Sequence, residues 1–216
     1  MIRSGTAAQN RTHRSGRAVP EIIDPDLELV ERWQAGDDGA FADLVRRHEA
    51  RVFRLLLRML GSREEAEDVA QEAFLRLHCH GHRFRREARF STFVYRVAAN
   101  AALNYRRSRK RRRGRMDTLK TRQEAGDDLP SSPRDPEGAA LGSEVQKRVQ
   151  EALLELPPDL RMALSLYDLE GQSYQEVARV LRIPEGTVKS RIHRARSALR
   201  ELLRPLVQSE SGKDLP

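Results

Sequence analysis

Between residues 106 and 142 the chain carries a stretch that cannot join a hydrophobic core, and this break decides how the rest can fold. Arg106 to Arg115 holds eight basic residues in ten. Met116 to Gly142 follows with Asp117, Glu124, Asp127, Asp128, Asp135 and Glu137, interrupted by Pro130, Pro133 and Pro136. Such a segment buries little apolar surface, and its prolines oppose continuous helix. The 216 residues are therefore expected to form two small units joined by a flexible linker. A charged fraction of 33% and a mean hydropathy of −0.69 also argue against one large core.

Both flanks read as helix. From Asp24 to Arg107 apolar residues recur at helical spacing: Phe41, Leu44, Val45, His48, Val52 and Leu55 to Leu57 make one stripe, and Ala66 to Leu77 another. Glycines at 36, 39, 61 and 81 mark expected helix ends, and no alternating strand-like stretch appears. Helical periodicity resumes near Ser143 and runs to Leu203. The expected fold class is all-α, in five segments: a disordered basic arm at 1–23, a helical domain at 24–110, a linker at 111–143, a second helical domain at 144–204 and a tail at 205–216. With 13 residues after Leu203, no further C-terminal domain is expected.

The net charge of +8 suits a polyanionic partner, although an arginine-rich soluble protein would show the same balance. The single cysteine, Cys79, excludes an internal disulfide and favours a reducing compartment. No apolar run approaches the roughly 20 residues that span a bilayer, and the polar N-terminus lacks a signal-peptide core. The cytoplasm is the expected location, without membrane insertion.

The second domain carries the sharpest local pattern. Ser173-Tyr174-Gln175-Glu176 forms a capping box, and Tyr174, Val177, Ala178 and Leu181 line one face of the helix it opens. Pro184 disfavours helix at Ile183, so this helix is short. A second helix starts at Glu185 to Thr187, with Val188, Ile192, Ala195 and Leu199 on one face. Lys189, Ser190, His193, Arg194 and Ser197 lie opposite, flanked by Arg191, Arg196 and Arg200. Short helix, tight turn and basic helix describe a DNA-binding helix-turn-helix, with a solvated basic helix on an α-hairpin as the alternative. The stretch from Leu153 to Leu203, "LLELPPDLRMALSLYDLEGQSYQEVARVLRIPEGTVKSRIHRARSALRELL", resembles region 4 of the extracytoplasmic-function sigma factors. That resemblance implies −35 promoter contact by Thr187, Lys189, Ser190, Arg191, His193, Arg194 and Arg196. Arg182 stands where the family usually has a turn glycine; a left-handed backbone there would cost arginine about 1 kcal/mol.

In the first domain, Glu64, Asp68, Gln71, Glu72 and the apolar Leu75 sit opposite a buried face of Ala66, Val69, Ala70, Ala73, Phe74 and Leu77. An acidic patch with an apolar centre fits a protein partner, or an ordinary solvated face. "EDVAQEAFLRL" resembles sigma region 2.2, which implies docking of Asp68, Gln71, Glu72 and Leu75 on the β′ coiled coil of core RNA polymerase. The stretch "RFRREARFSTFVYRVAANAALNYRR" interleaves aromatic and basic side chains, as single-stranded DNA binding or plain core packing would require. It resembles sigma regions 2.3 and 2.4, which implies −10 contact by Phe84, Arg85, Phe93, Tyr95, Arg96, Asn100 and Asn104. Asn100 falls at the position that reads a flipped base, and Phe93 stands where the family commonly has tryptophan. The opening from Asp26 to Val45 resembles the start of the same domain.

The resemblance covers residues 24–107 and 144–203 in order. It implies a promoter-reading subunit that is not an enzyme, that binds core polymerase through the β′ coiled coil and the β flap, and that an anti-sigma factor holds in check. No cofactor and no small-molecule substrate are expected. A helix-turn-helix regulator with a sensor domain, or a recombinase with such a tail, would need strands that the sequence does not show. His78, Cys79, His80 and His82 look like metal ligands, but neighbours on a helix point in different directions.

Overall fold

The computed structural model describes residues 24–81, 84–120 and 142–211, the backbone alone at 113–120, 142–144 and 206–211. Four helices form the first domain: α1 Leu27–Gln34, α2 Asp38–Leu60, α3 Arg63–His80 and α4 Phe90–Lys120. The second holds α5 Gly142–Glu155, α6 Pro158–Leu164 with a π-helical turn at Ser165–Leu169, then α7 Tyr174–Leu181 and α8 Glu185–Ser211. The described residues contain no strand, so the expected all-α class is observed.

Local chemistry sets the helix starts. The Asp37 carboxylate accepts from Ala40 N at 3.1 Å to open α2, and Ser62 Oγ accepts from Glu65 N at 3.3 Å to open α3. Asp24 reaches across 66 residues so that Oδ2 accepts from Phe90 N at 2.6 Å, capping α4 from outside its own segment. Of the four glycines expected at helix ends, three fall there; Gly39 lies in the first turn of α2. Gly81 is fixed by space, since a Cβ would fall 1.6 Å from the Trp33 ring.

The buried residues of both domains form one continuous cluster. In the first domain Leu44, Leu55, Leu56, Met59, Val69, Leu77 and Phe90 are buried; in the second, Met162, Leu166, Val177, Val188, Ile192 and Ala195 are. Two independent units were expected, but α2 packs on α5 and α4 packs on α7. Gly61, at φ 80°, ends α2 and leaves just enough room for the Leu154 methyls of α5.

Polar contacts fasten this join. Glu170 has a side chain only 2% exposed; it pairs with Arg58 at 2.6 Å and accepts from the Tyr95 hydroxyl at 2.9 Å. Gln150 Nε2 donates to Leu57 O at 3.0 Å, and Arg161 Nη1 donates to Met59 O at 2.8 Å. Each such bond contributes about 1 kcal/mol net, and more where a buried charge would otherwise stand alone.

Two boundaries differ from expectation. The α4 backbone stays helical through Lys120, ten residues into the expected linker, because arginine and lysine are good helix formers. α8 continues through Pro205 to Ser211, into the expected tail. The N-terminal arm and 121–141 lie outside the described residues.

Candidate nucleic-acid and polymerase interfaces

Three surfaces carry the side chains singled out in the sequence. On α3, Ala66, Val69, Ala73 and Leu77 are buried, while Asp68, Gln71 and Glu72 are exposed and Leu75 is 61% exposed. Leu75 is thus a large apolar side chain held in solvent among acids, with Glu72 tied to Arg76 at 2.6 Å. Beside it runs an apolar groove of about 420 Å³ between α2 and α3, lined by Val45, Phe53, Ala70 and Phe74. His78, Cys79 and His80, at the end of α3, are exposed, and His82 lies outside the described residues. His80 Nδ1 lies 2.9 Å from Arg76 O, and His78 packs edge-on against Phe41.

The second surface is the start of α4 and the loop before it. Asn100 and Asn104 are exposed one turn apart, and Arg85 is exposed in the loop. The aromatic residues behave differently. Phe84 and Phe93 are buried and pack on each other at 5.4 Å between ring centres, with the Arg96 guanidinium 5.0 Å above Phe93. Tyr95 is 2% exposed and faces Glu170, so it stands inside the join between domains. Burial, and then Glu170, push its phenol well above the ordinary value. The structure therefore leaves Arg85, Asn100 and Asn104 exposed and Arg96 half-buried over Phe93, while Phe84, Phe93 and Tyr95 are buried.

The third surface is α8. The capping box at Ser173 is formed: Ser173 Oγ accepts from Glu176 N at 3.2 Å, and Glu176 Oε2 accepts from Ser173 N at 2.8 Å. Val188, Ile192 and Ala195 are buried and Leu199 half-buried, so Lys189, Ser190, His193 and Arg194 face solvent. Lys189 pairs with Glu185 at 2.9 Å, which raises its pKa, and Ser190 Oγ donates to Thr187 O. Arg191 and Arg196 bend back to Asp159 and Asp168, the latter bidentate, and so brace α8 on the domain. Among the described residues Arg194 has no ion pair, leaving its full donor fork free.

The turn between α7 and α8 places Arg182 at φ 55° and ψ 47°, the left-handed conformation. Arg182→Gly is expected to relieve that strain and raise stability by up to about 1 kcal/mol, against the greater entropy of an unfolded glycine. Urea denaturation of the two proteins measures it, and a loss of stability would contradict this account of the turn.

Sequence reading missed Arg161 and Glu170, which act only through contacts between distant segments. Arg161 is fully buried, and burial followed by the charge of Arg106 lowers its pKa to about 10. It stays charged at neutral pH.

A helical domain with an exposed acidic-apolar face, coupled to a helix-turn-helix whose second helix is basic, is the architecture of a DNA-binding transcription factor. Residues 44–112 match the family description "Sigma-70 region 2", and residues 146–199 match "Sigma-70, region 4". The RNA polymerase sigma-H factor of Pseudomonas aeruginosa is 40% identical over 85% of this chain and 96% of its own length. The ECF RNA polymerase sigma-E factor of Escherichia coli K12 is 39% identical, again over 85% of this chain and 96% of its own. The chain belongs to the sigma-70 family, as an extracytoplasmic-function RNA polymerase sigma factor, and is not an enzyme. In fold it is similar to CnrH, solved in complex with the cytosolic domain of CnrY, with a TM-score of 0.62 at 23% identity over 84% of this chain and 99% of that one. The sigma factor RpoE of Bartonella quintana, solved with the anti-sigma factor NepR, gives 0.57 at 22% identity over 76% and 96%.

Proposed function

We propose that this sigma factor divides promoter reading among the three surfaces just described. The outer face of α3 docks on the β′ coiled coil of core RNA polymerase; the face of Arg85, Arg96, Asn100 and Asn104 takes the −10 element; α8 enters the major groove at −35, with help from the β flap. The observation that carries this reading is Leu75, which is 61% exposed and covered by no other described residue. It suits an anchor for a partner, with Asp68, Gln71 and Glu72 as its polar rim. Arg194, free and forward-facing, is the best-placed reader of a guanine edge.

The similar sigma factor RpoE, solved with the anti-sigma factor NepR, supports regulation by such a protein, which would cover one or more of these faces. No described helix is long and apolar enough to cross a membrane, and a cytoplasmic location follows from the proposed work on polymerase and promoter.

Run-off transcription with reconstituted holoenzyme tests the whole reading. Leu75→Ala should weaken core binding by about 1–3 kcal/mol, roughly 5- to 150-fold, with folding unchanged. Unaltered affinity in a titration against core polymerase would remove the α3 assignment. Asn100→Ala should leave closed complexes nearly intact and lower permanganate reactivity of thymines in the melted region. On a template already mismatched across −10, the defect should persist and change with base identity. If neither template shows a defect, Asn100 is structural.

A further inference from the structure

The loop before α4 and the helix α7 enclose a cleft of about 350 Å³ with four arginines on its walls: Arg85 and Arg96 on one side, Arg179 and Arg182 on the other. Among the described residues Glu87 is the only carboxylate lining it. Other arginines at or near the join are paired, Arg58 with Glu170, Arg89 with Glu176, Arg191 with Asp159 and Arg196 with Asp168. Among the described residues none of the four cleft arginines has an ion pair; Arg96 only lies over the Phe93 ring. Burial and then the positive charge of Arg182 depress the pKa of Arg96, so the two walls repel. At the back of the cleft the buried Thr92 Oγ1 has no hydrogen-bond partner.

We infer that this cleft binds a small polyphosphate anion, which bridges the two domains. Converging like charges cost energy that a multivalent anion reverses. Guanidinium forks match phosphate oxygens bidentately, and the Thr92 hydroxyl supplies a further donor. Phe84 and Phe93 are buried and Arg96 covers Phe93, so no free aromatic face awaits a base. Recognition rests on the phosphate chain, whether inorganic or part of a nucleotide.

Isothermal titration of the full chain with tripolyphosphate tests this, with sodium sulfate at matched ionic strength as the control. One tripolyphosphate should bind per chain, while sulfate should bind at least tenfold more weakly. Arg179→Ala with Arg182→Gly should lower the affinity at least tenfold, as should Arg96→Gln on the opposite wall. The variants with Arg179 and Arg182 replaced should stay folded, since both side chains are exposed and glycine suits the left-handed turn. Arg194→Ala with Arg200→Ala removes the same charge from α8 and should change the affinity less than twofold. ATP and GTP should bind within about threefold of tripolyphosphate. Absence of binding, equal losses in the two double variants, dependence on one wall alone, or a tenfold preference for one nucleotide would each overturn the inference.

Discussion

Replacing Arg161 with alanine is expected to cost the folded chain about 4 kcal/mol. Arg161 is fully buried with no acid beside it. Its guanidinium donates instead to Met59 O at 2.8 Å, Leu156 O at 2.9 Å and Leu154 O. Met59 lies in the last turn of α2, Leu154 in the last turn of α5 and Leu156 just after it. The cation therefore sits between the negative ends of two helix dipoles, which stabilise it as a carboxylate would. Alanine leaves those carbonyls short of donors and opens a cavity; only Met59 O keeps a second donor, Arg106 at 2.9 Å. Lysine cannot reach three carbonyls from one ammonium and should recover less than half of the loss. Trp33, the sole tryptophan, reports the first domain, while circular dichroism reports both. Urea denaturation followed by both probes should show the larger shift in circular dichroism. A loss below about 1 kcal/mol would mean that Arg161 is not the tie described.

Asp26→Asn should cost about 3 kcal/mol at neutral pH and flatten the acid limb of stability. The Asp26 side chain is 3% exposed, with Oδ2 2.7 Å from His48 Nε2 and Oδ1 accepting from Arg47 at 2.7 Å. Burial pushes its pKa up, but the hydrogen bonds and charges of His48 and Arg47 pull it below the usual 3.8. A carboxylate depressed in the folded state contributes stability that is full above the unfolded value. That stability is lost as pH falls through the lower folded value. Wild-type chain should therefore lose stability below pH 3.8, and the asparagine variant should lose less over that window. An asparagine amide cannot accept at both positions, so one donor is left facing another. Parallel denaturation curves between pH 5 and pH 2.5 check the sign, and identical acid limbs would rule it out.

Where a feature depends on neighbours in sequence, it was legible. Ser173 and Glu176 lie three apart and form the expected capping box, and Pro184 stops α7 where expected. Arg182 takes the left-handed backbone that its missing glycine suggested. The face of Val188, Ile192 and Ala195 is buried, and Leu75 is exposed, as their spacing implies. Features made by distant segments were not legible. Tyr95 reads as part of an aromatic-basic DNA surface, but Glu170, 75 residues away, draws it into the join between domains. Arg161 sits in "ELPPDLRMAL", where nothing local marks an arginine for full burial. The basic run after Arg106 reads as the start of a break in the fold, yet charge alone does not end a helix, and α4 runs on through it.

That extension of α4 sets the reach of the chain. The helix is still tied to the first domain at Arg109, which pairs with Glu65 at 2.6 Å, and it continues through Lys120, so 11 further residues extend it by about 17 Å. The 21 residues from 121 to 141 then span at most about 70–75 Å when drawn out. Helix and fully drawn-out chain together reach at most about 90 Å. Promoter elements 25 base pairs apart lie about 85 Å apart along the duplex, at 3.4 Å per step. Once the join at Glu170 opens, covalent connectivity alone lets the two domains stand at opposite ends of such a site without unfolding either one.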